Sequence, residues 1–475
     1  MANITVAAAR AIWRVALVGL DAVMEEDYKA EAIEQLCYNA QEVEEIASRC
    51  TLGEYQDLRR DASGSSDGLD APLAQAHDYS TTAPRDDTGT LMKRFLPSAL
   101  LILVFLTVSC DTLPPEILTP IFTPPTQTAA PGGGTGVPGT PGTPPPIDIS
   151  LPAAYGVRGP WYEIYFTIPG SPMASQKTGG ADGPVVAAID AARLTIDAAM
   201  YSISLDSVRA ALIRAHQRGV RVRVVMESDN MDRGDPRALS DAGIPVLGDR
   251  RQGLMHNKFM VIDNSEVWTG SMNFTDSSTY TDNNNLIRIH STKVAEDYTT
   301  EFNEMFVDDK FGPDKGSPTP NPRVTLDGTP VDIYFSPDDN VANNLLDLIH
   351  NAEESIYFLA YSFTSDPLAE AIRARAEEGV AVEGVMDSSQ IDSNIGTEFD
   401  PFKQQGLDIR RDGNQGGLLH HKVIIIDEEI VITGSYNFTN AAETRNDENV
   451  LVIYDPFIAA QYLAEFQRDF AQAAE

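Results

Sequence analysis

Residues 255–275 read MHNKFMVIDNSEVWTGSMNFT, and residues 419–439 repeat the pattern as LHHKVIIIDEEIVITGSYNFT. Each copy contains a histidine, a lysine two residues later, an aspartate five residues after the lysine, and then Gly-Ser-x-Asn-Phe-Thr. Because so specific a string does not arise twice by coincidence, it indicates an internal duplication. The rest of the chain is expected to build the scaffold for this pair or to carry it to its location.

Each copy predicts a strand that carries its histidine and lysine on one face. The apolar stretches Lys258–Asp263 and Lys422–Asp427 are typical of strands, in which side chains alternate between two faces. A short return strand, at Val267–Thr269 or Ile430–Thr433, then brings the Gly-Ser-x-Asn amide to the same end. One lobe thus supplies half of a site: one nucleophile or acid, one positive charge and one amide donor.

The predicted elements follow the same order in two lobes. The first lobe has strand Tyr162–Thr167, a helix near Val185–Ala192, strand Leu194–Tyr201, a helix near Ser207–Gln217 and strand Val220–Glu227. The second has a strand from Val331, a helix near Ala342–Asn351, a strand from Ile356, a helix near Pro367–Glu378 and strand Val380–Asp387. Alternation at this spacing predicts an α/β sandwich in each lobe. The lobes would span residues 151–320 and 321–475, with Phe311–Pro330 as the link between them.

Phosphodiester hydrolysis requires the groups that this duplication supplies. An attacking group and a leaving-group acid must lie on opposite sides of phosphorus, and the equatorial oxygens need positive donors. Histidine can fill both roles near neutral pH, and attack by histidine would give a covalent phosphohistidine. The groups expected to hold the phosphoryl oxygens are Lys258, Lys422, Asn273 and Asn437. The sequence has no zinc-type Cys/His spacing and no acidic calcium loop, so we expect neither a metal nor another cofactor.

Both copies resemble the HxK-x4-D motif of the phospholipase D superfamily, whose phosphodiesterases include phospholipases D, cardiolipin synthases and bacterial endonucleases. The resemblance runs from about Trp161 to the C-terminus, and both motifs are complete. It implies two facing α/β lobes with the active site at their interface. Family precedent favours His256 as the nucleophile and His420 as the acid.

The residues that would orient the histidines differ between the lobes. In the superfamily an acidic residue near this place orients the catalytic imidazole. Aligned on the two Gly-Ser pairs, Glu448 falls opposite Asn284. We therefore expect Glu448 to orient His420, and Asn284 or Asp282 to serve His256. Since a carboxylate partner makes an imidazole more basic, this asymmetry leaves the choice of nucleophile open.

The motif aspartates and serines are assigned to the predicted active site. Asp263 and Asp427 complete the two catalytic motifs, but their position at strand ends that face a turn predicts a structural role. Ser271 and Ser435 are expected to brace the site through local hydrogen bonds, with substrate binding as the alternative.

Two arginine pairs precede the motif histidines in predicted loops. They are Arg250-Arg251 and Arg410-Arg411. Two interpretations remain open: exposed loop charges, or collectors of a headgroup or second phosphate.

The first 150 residues lie outside the duplication. Residues 1–91 are predicted to be helical and then disordered. Residues 92–110 combine a Met, two positive charges, an apolar run and a final Cys, which is the pattern of a lipoprotein signal with Cys110 as the lipidated residue. A membrane anchor at residues 95–109 and a buried core helix are the alternatives. Residues 111–150, rich in Pro, Gly and Thr, predict an extended linker.

A signal sequence cannot act from the middle of a chain. If the lipoprotein interpretation holds, residues 1–91 would be a mis-extended start, and translation would begin at Met92. We then expect an exported protein that is lipid-anchored to a bacterial membrane.

The net charge and the motifs help to rank the possible functions. The chain has 70 acidic and 35 basic residues, a net charge of −35, which repels polyanions at long range. The preferred hypothesis is a phospholipase D acting at a phospholipid membrane surface. The alternatives are an endonuclease that acts on DNA or RNA, and an inactive surface scaffold. Two motifs in one chain can complete the site in a monomer.

Overall fold

The computed structural model describes residues 146–474. The predicted N-terminal region, the signal sequence with Cys110 and the linker up to residue 145 therefore lie outside the described residues. In the described part of the chain, none of the helices is both long and apolar enough to span a bilayer.

Two mixed sheets form the body. The first contains β1 (Ile147–Leu151), β2 (Ala154–Arg158), β3 (Tyr162–Thr167), β4 (Thr195–Met200), β5 (Arg221–Met226), β6 (Val246–Gly248), β7 (Lys258–Ile262), β8 (Glu266–Gly270) and β9 (Asn285–His290). The second contains β10 (Arg323–Leu326), β11 (Thr329–Ser336), β12 (Ser355–Ala360), β13 (Ala381–Met386), β14 (Asp408–Arg411), β15 (Lys422–Ile426), β16 (Ile430–Gly434) and β17 (Glu448–Tyr454).

The two sheets have the same topology. The first has the order β1-β2-β3-β9-β8-β7-β4-β5-β6, and the second has the order β10-β11-β17-β16-β15-β12-β13-β14. From β3 and from β11 onward the two orders correspond strand for strand, with the β4–β5 and β12–β13 pairs parallel. The predicted α/β fold of two duplicated lobes is confirmed.

Helices flank each sheet. Those of the first lobe are α1 (Asp182–Ala191), α2 (Asp206–Gln217), α3 (Gly234–Asp241), α4 (Asp276–Tyr280) and α5 (Thr292–Phe306). Those of the second lobe are α6 (Val341–His350), α7 (Asp366–Glu377), α8 (Ser388–Ser393), α9 (Phe399–Gln404), α10 (Asn440–Thr444) and α11 (Pro456–Gln472). Helices α5 and α11 pack against the central strands of their own sheets.

One hydrophobic core joins the lobes. It contains the inner faces of both sheets together with apolar residues of α5 and α11. Tyr298 of α5 makes edge-to-face contacts with Phe259 of the first sheet and Phe335 of the second, each with ring centroids 5.0 Å apart. Phe166 of the first lobe meets Tyr462 of α11 in the same way, at 5.1 Å. Aromatic contacts of this kind stabilise the interface beyond the apolar area they bury, so the lobes are held in one fixed relation.

The motif strands β7 and β15 lie at the centre of their sheets. Every residue of both strands is buried, which explains their nearly continuous apolar sequence. Each strand ends in a two-residue turn, Asp263-Asn264 or Asp427-Glu428, whose residues all have φ between 52° and 55°. Positive φ at both central residues makes a primed hairpin turn, and Asp or Asn tolerates this conformation better than most residues.

Among the strands that the sequence did not predict, β14 contains the Arg410-Arg411 pair that was expected in a loop, and three others lie in or beside predicted connections. β1 begins at Ile147, within the predicted linker, and forms a hairpin with β2 that extends the first sheet. β10 lies inside the predicted inter-lobe link Phe311–Pro330 and pairs with β11. All three are at or next to a sheet edge, where pairing with a neighbour decides strand formation more than an apolar pattern does.

Candidate active site

The two motif histidines meet at the interface of the lobes. The backbone N–H of His256 donates to the carbonyl of Asp447 at 3.1 Å, and that of His420 donates to the carbonyl of Asn283 at 2.9 Å. Each histidine is therefore attached by its backbone to the segment that enters the other lobe's last strand. Both imidazoles are almost fully buried, with relative exposures of 4% and 6%.

These hydrogen bonds between the lobes place each histidine beside a side chain of the opposite lobe. His256 Nδ1 lies 2.8 Å from Glu448 Oε2 and 2.9 Å from Oε1. His420 Nδ1 lies 2.9 Å from Asn284 Oδ1. The expectation that Glu448 orients His420 is therefore wrong, and so is the assignment of Asn284 to His256. The sequence alignment compared positions within each lobe, whereas the contacts cross between lobes.

The motif serines hold these partners in place. Ser271 Oγ donates to Asn284 Oδ1 at 2.9 Å, and Ser435 Oγ donates to Glu448 Oε2 at 2.7 Å. Both serines are fully buried. These contacts support the expected bracing role, because each hydroxyl proton is given to Asn284 or Glu448.

A glycine is required immediately before each serine. Gly270 has φ 143° and Gly434 has φ 151°, where L residues are strained. A Cβ at either position would also collide with a backbone carbonyl, that of Asn285 or that of Asn449. The Gly-Ser pair thus lets the last strand approach closely enough for the serine to reach its partner.

The electrostatics of the pair favour the neutral form of His256. Burial lowers the pKa of His256 to about 4, against the opposing effect of the Glu448 carboxylate. Burial alone would raise the pKa of Glu448, but its contacts with His256, Lys258 and Ser435 hold that pKa below its ordinary value. At neutral pH a neutral imidazole therefore donates its Nδ1–H to an ionised carboxylate, and the Nε2 lone pair is left for the substrate.

His420 is also neutral in the free protein. Burial, followed by the charges of Lys422 and Lys258, lowers the pKa of His420 well below 6.5. Asn284 supplies no charge to oppose this shift. Because a bound phosphodiester would bring a negative charge to the site, it would favour protonation of this imidazole.

The motif lysines are buried beside the histidines. Lys258 Nζ donates to the carbonyl of His256 at 2.8 Å, and Lys422 Nζ donates to that of His420 at 2.7 Å. Each ammonium also lies over a tyrosine ring, Tyr201 at 5.0 Å or Tyr361 at 4.7 Å. The two lysines thus place fixed positive charge in a site that is closed to bulk water, where its effect on a phosphoryl group is strongest.

Tyr201 and Tyr361 are site residues that the sequence analysis missed. Each packs edge-on against a motif histidine, with ring centroids 5.0 Å from His256 and 4.8 Å from His420. The signal was present, because a Tyr-Ser pair directly follows the equivalent strands β4 and β12.

The motif asparagines are uncommitted. The side-chain amides of Asn273 and Asn437 make no hydrogen bond within residues 146–474, and the Oδ1 atom of each is buried. A buried amide oxygen without a partner is unusual in a folded protein. Both are therefore available to a ligand.

The motif aspartates belong to the scaffold. Asp263 accepts backbone hydrogen bonds from residues 193–195, at 2.6 to 3.0 Å for the closest contact of each. Asp427 accepts the equivalent bonds from residues 353–355, at 2.7 to 2.9 Å. Burial raises the pKa of Asp263, but these backbone donors bring it below the ordinary value. Both carboxylates anchor the start of a neighbouring strand, and these contacts support the expected structural role.

All four arginines of the two pairs are held by carboxylates. The partners are Asp309 for Arg250, Asp447 for Arg251, Asp408 for Arg410 and Asp392 for Arg411. Arg251 is largely buried, and its Nη2 lies 2.8 Å from Asp447 Oδ2. These contacts favour structural ion pairs over the suggested collection of a headgroup.

Within residues 146–474, two clusters combine residue types that can hold a metal. They are His421 with Glu465 and Asp469, and Glu301 with Glu304 and Asp338. Arg468 Nη2 already lies 2.5 Å from Glu465 Oε1, and Lys315 Nζ lies 2.5 Å from Glu301 Oε1. A cation of the protein is thus already paired with a carboxylate of each cluster.

Comparisons with known proteins agree with this geometry. The family model described as "Cardiolipin synthase, PLD-like domain" matches residues 185–306 and 345–470, more than half of the chain. A phospholipase D of Rickettsia bellii (strain RML369-C) is 34% identical over 173 residues, which are 35% of this chain and 81% of that protein. A mitochondrial cardiolipin hydrolase of Chlamydomonas reinhardtii is 28% identical over 162 residues, which are 34% of this chain and 72% of that protein.

A solved structure shows the same two-lobed fold. The phosphatidylserine synthase of Haemophilus influenzae Rd KW20 superposes with a TM-score of 0.52 at 16% identity, over 66% of this chain and 86% of that one. Two complete motifs, a family model that matches both lobes and these relatives define the class: the chain belongs to the phospholipase D superfamily. Within that superfamily it is a phosphodiesterase hydrolase of the phospholipase D type.

Proposed function

We propose that this protein hydrolyses phospholipid phosphodiester bonds through a phosphohistidine on His256, without a metal ion. The observation that carries the proposal is the pairing of two buried imidazoles, each with Nδ1 bound to a fixed acceptor and Nε2 uncommitted. Two buried lysines donate to the carbonyls of these histidines, and the side-chain amides of Asn273 and Asn437 in the same motifs have no hydrogen-bond partner within residues 146–474. These are the donors that five-coordinate phosphorus requires.

The reaction would proceed in two displacements. His256 Nε2 attacks phosphorus, the bond to the headgroup oxygen breaks, and His420 Nε2–H gives its proton to the departing alcohol. A water molecule then attacks the phosphohistidine, and His420 takes a proton from it. The P–N bond breaks, phosphatidic acid leaves, and His256 recovers its lone pair. Glu448 stabilises the positive charge that His256 carries in the intermediate.

A lipid substrate is supported by two observations. The named relatives are a phospholipase D and a cardiolipin hydrolase. The net charge of −35 disfavours loose binding of a polyanion. The signal pattern that ends at Cys110 supports a further part of the proposal, that the protein is exported and lipid-anchored at a membrane.

The test compares lipid and nucleic acid in excess EDTA. Full-length protein is offered vesicles of phosphatidylcholine or cardiolipin in one assay, and labelled single- and double-stranded DNA in another. We expect phosphatidic acid release that His256→Ala abolishes and that the exposed control His350→Ala leaves unchanged. Cleavage of DNA without lipid turnover would replace the substrate with nucleic acid. Loss of activity in EDTA would refute metal independence.

A further inference from the structure

One arginine, Arg233, is hydrogen-bonded to a residue next to the His256 half of the site. Ser202 follows Tyr201, whose ring packs on His256, and the serine is buried with 4% exposure. Arg233, immediately before α3, donates from Nη1 to Ser202 Oγ at 3.3 Å. The Arg233 guanidinium is thus held by a neutral hydroxyl of the residue that follows Tyr201.

Arg233 has no carboxylate partner within residues 146–474, although most arginines there have one. The two acidic residues nearest to it in the chain form ion pairs with other arginines. Asp232 pairs with Arg237 at 3.2 Å, and Asp235 pairs with Arg209. In a chain with 70 acidic and 35 basic residues, a guanidinium without a carboxylate is available to an anion from outside the protein.

In the other half of the site, no arginine or lysine of residues 146–474 contacts the corresponding serine. Ser362 follows Tyr361, whose ring packs on His420, and it accepts a hydrogen bond from Asn394 Nδ2 at 2.9 Å. Asn394 thus takes the place that Arg233 takes in the first lobe. A nucleic acid carries phosphates on both sides of the one that is cleaved, and a matching site would have a cation on both sides. A cation on one side fits a substrate with one additional phosphate.

We propose that Arg233 is a specificity-determining residue that binds the second, uncleaved phosphate of a phospholipid with two phosphates. This inference rests on the proposed lipid hydrolysis. The planar guanidinium has several N–H donors, so it can keep its bond to Ser202 and still contact phosphate oxygens. Its position orders the substrate so that the second phosphate lies on the His256 side of the cleft.

The test compares cardiolipin, which has two phosphates, with phosphatidylcholine, which has one. Arg233→Gln in the full chain should lower kcat/KM on cardiolipin vesicles roughly 10- to 100-fold, the worth of one charge-assisted hydrogen bond. On phosphatidylcholine we expect a change of less than about threefold, because no second phosphate is present. The matched control Arg237→Gln, an exposed arginine in α3, should change neither rate. Equal losses on both lipids, or no loss on cardiolipin, would overturn the inference.

A binding measurement separates this inference from the proposed activity. In the inactive His256→Ala background, adding Arg233→Gln should weaken sedimentation with cardiolipin vesicles and leave sedimentation with phosphatidylcholine vesicles unchanged. Unchanged cardiolipin binding refutes the role of Arg233, whether or not the wild type turns over lipid. If the wild type turns over neither lipid but the binding difference is present, the proposed hydrolysis fails and the second-phosphate site stands. If Arg233→Gln reduces DNA cleavage instead, the second phosphate belongs to a nucleic acid.

Discussion

Replacement of Glu448 by Gln tests whether the two histidines have different roles. The carboxylate accepts hydrogen bonds from His256 Nδ1 at 2.8 Å, Ser435 Oγ at 2.7 Å and Asn446 Nδ2 at 3.4 Å. Gln has nearly the same shape but carries one acceptor oxygen and no charge. The variant gives His256 a neutral amide partner, as Asn284 already gives His420.

The expected loss follows from the charge that His256 gains. Attack on phosphorus makes the imidazole cationic in a fully buried pocket, and the ionised Glu448 lies in direct contact with it. Loss of a charge-assisted hydrogen bond and of this charge stabilisation costs roughly 2–4 kcal/mol, or about a 30- to 1000-fold slower formation of phosphoenzyme. The reciprocal change Asn284→Asp places a carboxylate beside His420. It should raise the pKa of His420 and move the activity profile to higher pH, with a change in maximum rate below about tenfold.

The assay is a rapid-quench single turnover with phospholipid that carries labelled phosphate. Phosphohistidine is recognised as a protein-bound label that survives base and is lost in acid. We expect the label to be absent from His256→Ala and to form slowly in Glu448→Gln. Phosphoenzyme in Glu448→Gln at about the wild-type rate would refute the charge argument. A label that persists in His256→Ala and disappears in His420→Ala would reverse the assignment of the nucleophile.

Three further predictions concern stability. The first concerns His256, whose pKa burial lowers from 6.5 to about 4. As the pH falls, the unfolded state therefore takes up a proton on this histidine before the folded state does. The stability that the neutral His256 contributes is complete above pH 6.5 and declines as the pH falls toward 4. Urea unfolding at pH 7.5 and pH 5 should therefore show roughly 2 kcal/mol less pH dependence in His256→Asn than in the wild type, and equal dependence would contradict the buried neutral state. Asp263→Asn should lower the free energy of unfolding by about 1–3 kcal/mol while kcat is retained, and lost activity at unchanged stability would show a catalytic role. Gly434→Ala should lower the free energy of unfolding by about 1–3 kcal/mol or more and should also slow turnover, because the added Cβ would push the strand away from the Asn449 carbonyl. An unchanged melting temperature would show that the strand can shift.

The sequence predicted the scaffold because the same local patterns occur in both lobes. The strand Tyr162–Thr167 was predicted with the bounds that the structure has, and the helix near Ser207–Gln217 starts only one residue earlier. The helix buries the apolar residues Val208, Ala211, Leu212 and Ala215 on one face, and their spacing is visible in the sequence. The strand is buried along its whole length, which agrees with its largely apolar and aromatic composition. The edge strands β1 and β14 were missed, since their formation depends on which neighbour they pair with.

The error over Glu448 has a different physical origin. Nothing in the local pattern of residues 446–449 indicates which imidazole they will face, because the contact is made by a segment of the other lobe. The exchange depends on a short parallel pairing of Met255 with Asp447, and of Asn283 with Leu419. Each bridge joins a single residue of the first lobe to a single residue of the second. A pairing so short leaves no periodic signal in either segment.

The crossed contacts also explain how the two halves could become unequal. The first lobe's histidine depends on the second lobe's Glu448, and the second lobe's histidine depends on the first lobe's Asn284. In a site built from two identical chains, both partners would have to be the same residue. Fusion into one chain removes that constraint, so one imidazole can have a carboxylate that stabilises positive charge and the other an amide that does not. A nucleophile must carry a covalent phosphoryl group as a cation, whereas an acid must release its proton. The observed placement, carboxylate beside His256 and amide beside His420, matches this division of roles.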